Sequence, residues 1–304
     1  MNKSSSQSGR KVEKSTLLSD LKSLFKGIVL IANVLPVFAG FWLALHFTNA
    51  SFYDYWDQFL LAMIGSTFVI AGALLFNNWY EVDLDREMSR TQTRPTVTGN
   101  ISLKTVFIMA NFFSLIGMII LLFTTMEAVF YAWIGWFSYV VLYTFWSKRK
   151  YTLNTILGSL SGAVTPLIGW AVVDSAIHIV PITLFAILFI WQIPHTFSIA
   201  IKRYKEYKAA GVPMLPVVYG FDVTKRQIIV YIACLFPLPL FLISLGIPFI
   251  IVATLLNIAW LILAVRGFYT KDDWKWAHRI FISSLIYLSV LFIMMVIVTL
   301  PPFS

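Results

Sequence analysis

The sequence predicts an all-α protein that crosses a membrane many times. Of its 304 residues, 59% are hydrophobic and only 12% are charged, whereas a soluble globular domain averages about 25% charged residues. A membrane-spanning helix takes about 20 mostly apolar residues, so nine such helices would use most of the apolar side chains. This composition excludes a soluble enzyme, a disordered chain and a nucleic-acid-binding module, in spite of a net charge of +9.

Nine apolar runs are long enough to span a bilayer. They cover residues 27–48, 57–77, 105–124, 127–146, 153–173, 180–201, 228–245, 247–267 and 279–299. Prolines inside these runs predict kinks that neighbouring helices must accommodate. We therefore expect a polar basic tail at residues 1–26, followed by one nine-helix domain at residues 27–304.

The basic residues predict the orientation of the bundle. All 23 Lys and Arg residues lie in the tail or in the loops after the second, fourth, sixth and eighth helices, while the opposite loops carry none. The positive-inside rule then places the N-terminus in the cytoplasm and the C-terminus outside, which requires an odd number of spans. The positive charge is therefore first a topology signal, and second an indication of an anionic substrate.

Acidic and amide side chains cluster after the second predicted helix. If that helix continues at 100° per residue, four oxygen-bearing side chains share one face. They are Asn77, Asn78, Glu81 and Asp85. Carboxylates on one face repel each other unless a cation lies among them, and oxygen ligands suit Mg²⁺. We expect a metal site here, with Arg90 and Arg94 just beyond it to hold a diphosphate. The alternative is an ordinary solvated loop.

A second polar segment follows the sixth predicted helix. With His195 taken as 0°, Lys202 and Glu206 fall within about 20° of it, on one stripe of a helix leaving the membrane on the same side. An ionisable residue at membrane depth indicates a functional site. The alternatives are a packing role for His195, and a topology role for Lys202 and the neighbouring Arg203.

Both segments carry recognisable motifs. Residues 77–85 and 90–95 fit a pattern NNxxDxDxD followed by RTxxRP, and residues 191–195 and 210–220 fit WQxPH and AGxPMLPVVxG. Together they resemble the UbiA superfamily of intramembrane prenyltransferases, and within it the protoheme IX farnesyltransferase family, from about residue 27 to the end. Glu81 and Glu206 stand where that family usually has Asp. The DxxxD pair of other UbiA enzymes is missing, which favours haem over a phenolic or quinone-type acceptor.

The resemblance implies transfer of the farnesyl group of farnesyl diphosphate to a vinyl group of haem B, with addition of water, to give haem O and diphosphate. It implies Mg²⁺ held by Asn77, Asn78, Glu81 and Asp85, and haem B as a substrate rather than a prosthetic group. His195 would orient the porphyrin, ligate its iron or relay a proton, and Glu206 is a further catalytic candidate. The implied substrate-binding residues are Arg90, Arg94, Lys148, Arg149, Lys202, Arg203 and Tyr207.

The same resemblance implies a prokaryotic cytoplasmic membrane, with the site loops on the cytoplasmic side. Partners would be the lipid bilayer and a downstream haem A synthase or terminal-oxidase assembly proteins. Three other readings stay open at this stage: a UbiA-type enzyme with an aromatic acceptor, a transporter or channel, and an assembly factor without catalysis.

Overall fold

A computed structural model describes residues 16–300, and all regular structure in that range is helical. Eight helical stretches within it are long and apolar enough to cross a membrane. They are Gly27–Thr48, Phe52–Tyr80, Leu103–Leu121, Met126–Ser147, Ile179–Lys202, Leu215–Leu245, Ile247–Phe268 and Asp273–Val298. The expected polytopic, all-α architecture is therefore present.

Fourteen α-helices occupy the described part of the chain. They are α1 (Leu17–Leu24), α2 (Gly27–Thr48), α3 (Phe52–Tyr80), α4 (Val82–Glu87), α5 (Pro95–Thr98), α6 (Leu103–Leu121), α7 (Met126–Phe137), α8 (Asn154–Ala163), α9 (Thr165–Ala171), α10 (Ile179–Lys202), α11 (Tyr204–Ala209), α12 (Leu215–Cys234), α13 (Ile247–Val265) and α14 (Asp273–Val298). A π-helix, Ser138–Ser147, continues α7, and 3₁₀ helices occupy Leu238–Leu245 and Arg266–Phe268.

The predicted fifth span, 153–173, is two short helices rather than one. The break falls at Val164, between α8 and α9. Pro166 has no N–H to donate to the carbonyl four residues earlier, which belongs to Gly162. The hydroxyl of Thr165 donates to that carbonyl instead, at 2.7 Å. The chain can therefore break inside the bundle without leaving this carbonyl unpaired.

Helix α9 packs backbone to backbone against α2. A Cβ atom on Gly40 would lie 2.0 Å from the carbonyl oxygen of Pro166, and one on Gly169 would lie 1.9 Å from that of Val37. Small residues permit this approach between membrane helices. The whole of Thr165–Ala171 is buried, so the broken fifth segment lies inside the bundle.

Helix α3 reaches the acidic segment and continues past it, as expected. Its backbone bends at Glu81, which has φ −98° and ψ 14°. The helical hydrogen bonds nevertheless persist, because the Glu81 N–H donates to Asn77 O at 3.0 Å and the Asp85 N–H to Glu81 O at 2.8 Å. Helical hydrogen bonding therefore continues across this bend from α3 into α4.

The chain before the first span is partly helical, which the sequence prediction of a polar tail did not include. Residues 1–15 of that tail lie outside the described residues. Thr16 caps α1 by accepting from the Ser19 N–H at 3.3 Å. Lys26 then takes a left-handed conformation, with φ 48°, and turns the chain sharply from α1 into α2.

Candidate active site

A polar cavity of about 650 Å³ opens among α1, the α3–α4 bend, the π-helix and α11. We call it the charged cavity. It brings together seven of the predicted site residues: Asn77, Glu81, Asp85, Arg90, Arg94, Lys148 and Tyr207. These residues come from three separate parts of the chain, so their convergence is a property of the fold and not of one loop.

Two buried ion pairs form the floor of the charged cavity. Lys148 Nζ lies 2.5 Å from Glu81 Oε2, and Arg94 Nη1 lies 2.5 Å from Asp85 Oδ2. Both carboxylate side chains are only 5% exposed. Burial lowers the pKa of Lys148, but the Glu81 carboxylate outweighs it and holds this pKa above its usual value. Lys148 is therefore a permanent cation at the cavity wall.

Lys26 is a further cation in the charged cavity, and the sequence analysis did not single it out. Its Nζ lies 2.5 Å from Asn77 Oδ1. The ion pairs among residues 16–300 do not include it. Burial, and then the positive charge of Arg94, holds its pKa well below the usual value. A bound anion would relieve both effects. In sequence Lys26 reads only as the last basic residue before the first span.

Asn78 does not face the charged cavity. Its Nδ2 donates to the carbonyl of Leu24 at 2.5 Å, and its Oδ1 is buried without a partner among the described residues. The amide therefore ties α3 to α1. The prediction that Asn78 shares one face with Asn77, Glu81 and Asp85 is therefore wrong, because α1 packs beside Asn78 and takes its amide.

Arg149 is likewise outside the cavity. Its guanidinium holds both oxygens of Asp83, at 2.7 and 2.6 Å, and lies over the Tyr80 ring at 4.9 Å. The hydrogen bond from Arg149 lowers the pKa of Asp83. This pair joins α4 to the loop before α8 and orders the rim of the cavity.

The second predicted segment forms a different cluster, between α10 and α14. His195 Nδ1 lies 2.7 Å from Ser284 Oγ, and its ring stacks on Trp191. The Lys202 ammonium lies over the face of the Phe281 ring, 4.4 Å from its centre. Neither His195 nor Lys202 lines the charged cavity.

His278 joins this cluster and is a second residue that the sequence reasoning missed. Its Nδ1 lies 3.0 Å from Lys202 Nζ, and its ring stacks on Trp274 at 5.6 Å. Lys202 and His278 are 76 residues apart in sequence. The packing of α10 against α14 brings both of them, with His195, to one seam. Spacing within one helix predicted that His195 and Lys202 lie together, but it could not have added His278.

Arg203 and Glu206 pair with each other at 2.8 Å, at the start of α11. Arg203 is 44% exposed and Glu206 19%, and Glu206 Oε2 is buried with no hydrogen-bond partner in the described part of the chain. Tyr207, the next residue, lines the charged cavity. The pair therefore lies beside the cavity and supports it at its edge.

The donor set in the charged cavity suits a hard cation such as Mg²⁺. Glu81 Oε1 is buried without a hydrogen-bond partner, and Asn77 and Asp85 present further oxygens to the same space. Across residues 16–300, no three His, Cys, Asp or Glu side chains gather closely enough to hold a metal alone. The set therefore fits a metal that takes the rest of its shell from phosphate oxygens and water, as Mg²⁺ does.

A second cavity, of about 120 Å³, lies deeper among α2, α3, α7, α8, α9 and α10. We call it the inner cavity. Val29 and Tyr139 line both cavities, so the inner one begins where the charged one ends. Its walls are mainly apolar, with Val69, Ile70 and Leu74 among them. Together the two cavities can hold a charged head and the first carbons of an apolar tail.

Comparison with known proteins identifies the family of this chain. Residues 33–285 match the model of the UbiA prenyltransferase family. The chain is 55% identical over 287 residues to the protoheme IX farnesyltransferase of Oceanobacillus iheyensis, covering 94% of this chain and 91% of that one. It is 51% identical over 289 residues to protoheme IX farnesyltransferase 2 of Bacillus subtilis, covering 95% of each.

Solved structures share the fold. A digeranylgeranylglyceryl phosphate synthase superposes with a TM-score of 0.74 at 17% identity, covering 93% of this chain and 98% of that one. A UbiA homologue from Archaeoglobus fulgidus bound to DMAPP and Mg²⁺ gives 0.68 at 18% identity, covering 91% and 99%. The match of residues 33–285 to the family model shows that this chain belongs to the UbiA prenyltransferase family.

Proposed function

We propose that this chain is an enzyme that transfers the farnesyl group of farnesyl diphosphate to a vinyl group of haem B, with addition of water, to give haem O and diphosphate. The observation that carries the proposal is identity of 50% or more, over nearly the whole chain, to relatives named protoheme IX farnesyltransferase. A prenyltransferase with an aromatic or quinone-precursor acceptor is the alternative, and the relatives do not favour it.

The diphosphate binds in the charged cavity. Lys26, Arg90, Arg94 and Lys148 supply its cations, and Tyr207 closes one side. Charge-assisted hydrogen bonds to phosphate are the strongest that side chains make. Because Lys26 has no carboxylate partner, it can bind the anion without first giving up an ion pair. The convergence of four cations on one buried space supports this assignment.

Breaking the bond between farnesyl and diphosphate leaves growing negative charge on the departing oxygens. Fixed positive charge aimed at those oxygens stabilises the growing charge more than it stabilises the ground state. Asn77, Glu81 and Asp85 would hold Mg²⁺, which when bound supplies Lewis-acid stabilisation of the leaving group. The remaining positive charge comes from Arg94 and Lys148, already oriented by their carboxylate partners.

The inner cavity, of about 120 Å³, is too small for the whole farnesyl tail and takes only its first carbons. Its apolar walls exclude bulk water from the allylic cation, which would otherwise be hydrolysed. Val29 and Tyr139, which line both cavities, stand where the head meets the tail. The bond that breaks is therefore positioned at this junction.

Haem B binds toward the seam of α10 and α14. Lys202 has no carboxylate partner among the described residues, so it can take one propionate, and Arg203 can take the other by giving up its pair with Glu206. His195 orients the porphyrin from the same seam. Arg149 is engaged with Asp83 and is not assigned to either substrate.

We propose that the chain crosses the membrane nine times. Helices α8 and α9 together form the fifth, because they lie buried within the bundle between the spans before and after them. Residues 27–304 form the catalytic domain. The positive-inside rule places the N-terminus and the charged cavity on the cytoplasmic side of the cell membrane. A downstream haem A synthase or oxidase-assembly protein would receive the product.

A competition experiment tests the function. The purified chain in proteoliposomes is given farnesyl diphosphate, Mg²⁺ and equal amounts of haem B and 4-hydroxybenzoate, and both acceptors are analysed by mass spectrometry. We expect farnesylated haem alone. Farnesyl transfer to the aromatic acid instead would establish the alternative acceptor.

A further inference from the structure

The inner cavity is less apolar than a pocket for a hydrocarbon tail needs to be. The polar side chains that line it include three from three different helices: Asn33 on α2, Ser66 on α3 and Gln192 on α10. We call them the polar patch. A farnesyl chain offers no hydrogen bond to any of them, so their presence requires a different ligand or a structural partner.

Structural partners do not account for the patch. Ser66 is fully buried, and its Oγ has no hydrogen-bond partner in the described chain. No described residue hydrogen-bonds the side-chain amide of Gln192, and Asn33 uses only its Nδ2, donating to Val29 O at 2.8 Å. A buried, unpaired hydroxyl such as that of Ser66 costs free energy inside a membrane bundle, whereas Asn33 and Gln192 are only partly buried. By contrast, Ser161 and Thr165 on the same wall donate to carbonyls of their own segment.

Two members of the patch converge on one small space. A Cβ atom on Gly162 would lie 2.7 Å from Gln192 Oε1 and 3.4 Å from Asn33 Oδ1. The two acceptor oxygens, which belong to different helices, therefore lie on the same side of Gly162. A water molecule donates two hydrogen bonds and needs two to four polar partners, which the patch supplies.

One member of the patch, Asn33, also lies near the place where bonds change. Asn33 is one helical turn beyond Val29, and Val29 lines both cavities. We propose that Asn33, Gln192 and Ser66 hold the water molecule whose oxygen becomes the hydroxyl group of the product. This inference rests on the proposed function.

The reaction balances with that water as its third reactant. The terminal vinyl carbon of haem bonds to C1 of farnesyl as the C–O bond to diphosphate breaks and its electron pair leaves with diphosphate. Positive charge then lies on the vinyl carbon next to the porphyrin ring. The water oxygen bonds to that carbon, and its proton passes to diphosphate. Without a held water, the same cation loses a proton from carbon and gives an alkene.

The test measures which product forms. Ser66→Ala and Gln192→Leu are compared with the wild-type chain in proteoliposomes by mass spectrometry of the haem. Loss of a hydrogen bond to the water should raise the ratio of dehydrated to hydroxylated farnesyl haem about five- to tenfold. Ser159→Ala is the matched control, because Ser159 is a buried helical serine that already donates to Thr155 O and lines neither cavity.

Ser66→Ala keeps the test valid if the larger change disturbs folding, since the removed hydroxyl has no partner to lose. An unchanged product ratio in folded, active variants would overturn the proposal. So would loss of activity in both without any dehydrated product. A wild-type chain that consumes farnesyl diphosphate but leaves haem unmodified is a separate result, and it would refute the proposed function itself.

Discussion

Among the cations that line the charged cavity, Lys148 gives the most specific test of diphosphate binding when it is replaced by Met. The substitution keeps an unbranched chain of similar length and removes only the ammonium, which lies 2.5 Å from Glu81 Oε2. One charge-assisted hydrogen bond to the diphosphate is lost, which is worth about 1.5 to 3 kcal/mol, or a fall of about 10- to 150-fold in kcat/KM for farnesyl diphosphate.

The same change leaves the Glu81 carboxylate buried without its partner. Breaking a buried ion pair from one side costs about 3 to 5 kcal/mol of stability. The variant must therefore be shown to be folded by size-exclusion chromatography and thermal denaturation before rates are compared. Lys148→Arg keeps the charge and should recover most of the stability.

Lys150→Met is the matched control for the activity assay. Lys150 belongs to the same loop, but it is exposed and does not line the cavity. Initial rates are measured in proteoliposomes with farnesyl diphosphate varied at saturating haem B. A kcat/KM for folded Lys148→Met within about threefold of that for Lys150→Met would refute a role for Lys148 in diphosphate binding.

Three further outcomes are expected. Gly169→Ala would place a methyl group 1.9 Å from Val37 O, so it should lower Tm markedly. Gly27→Ala, whose nearest contact would be 3.7 Å, should leave Tm unchanged. Equal Tm values for the two variants would contradict the close packing of α2 and α9. The Arg149 side chain holds the pKa of Asp83 below its ordinary value of 3.8. Because this ion pair is exposed, it should contribute less than about 1 kcal/mol to the free energy of unfolding. That contribution is present above pH 3.8 and disappears as the pH falls through the lowered pKa, so the stability difference between wild type and Asp83→Asn should vanish in acid; a difference that grows in acid would contradict the pairing. Chelation should abolish transfer and added Mg²⁺ restore it, with Glu81→Gln needing more Mg²⁺ than wild type; an unaltered requirement would remove Glu81 from the metal site.

Composition and motif spacing predicted much of this molecule. The apolar runs locate the spans because bilayer thickness fixes their length. The NNxxDxDxD pattern located Asn77, Glu81 and Asp85, and helical periodicity correctly placed these three side chains toward one cavity. That success follows from local geometry, since all three lie within three turns of one helix.

The remaining features depend on contacts between distant segments. The proline at 166 predicted a kink, but only the packed structure shows that the broken segment can be buried, because Thr165 satisfies the freed carbonyl. Asn78 turns toward Leu24 because α1 packs there. Lys26 and His278 enter their clusters through tertiary packing, so their sequence neighbours carry no signal of it.

The most direct measurement is mass spectrometry of haem B after incubation with the purified chain, farnesyl diphosphate and Mg²⁺, alongside Asp85→Asn. Asp85 lines the charged cavity and pairs with Arg94, and the substitution preserves its shape while removing its charge. We expect haem heavier by one farnesyl group plus one water from the wild-type chain, and unmodified haem from the variant. Equal product from both would contradict the assignment of the charged cavity as the catalytic site.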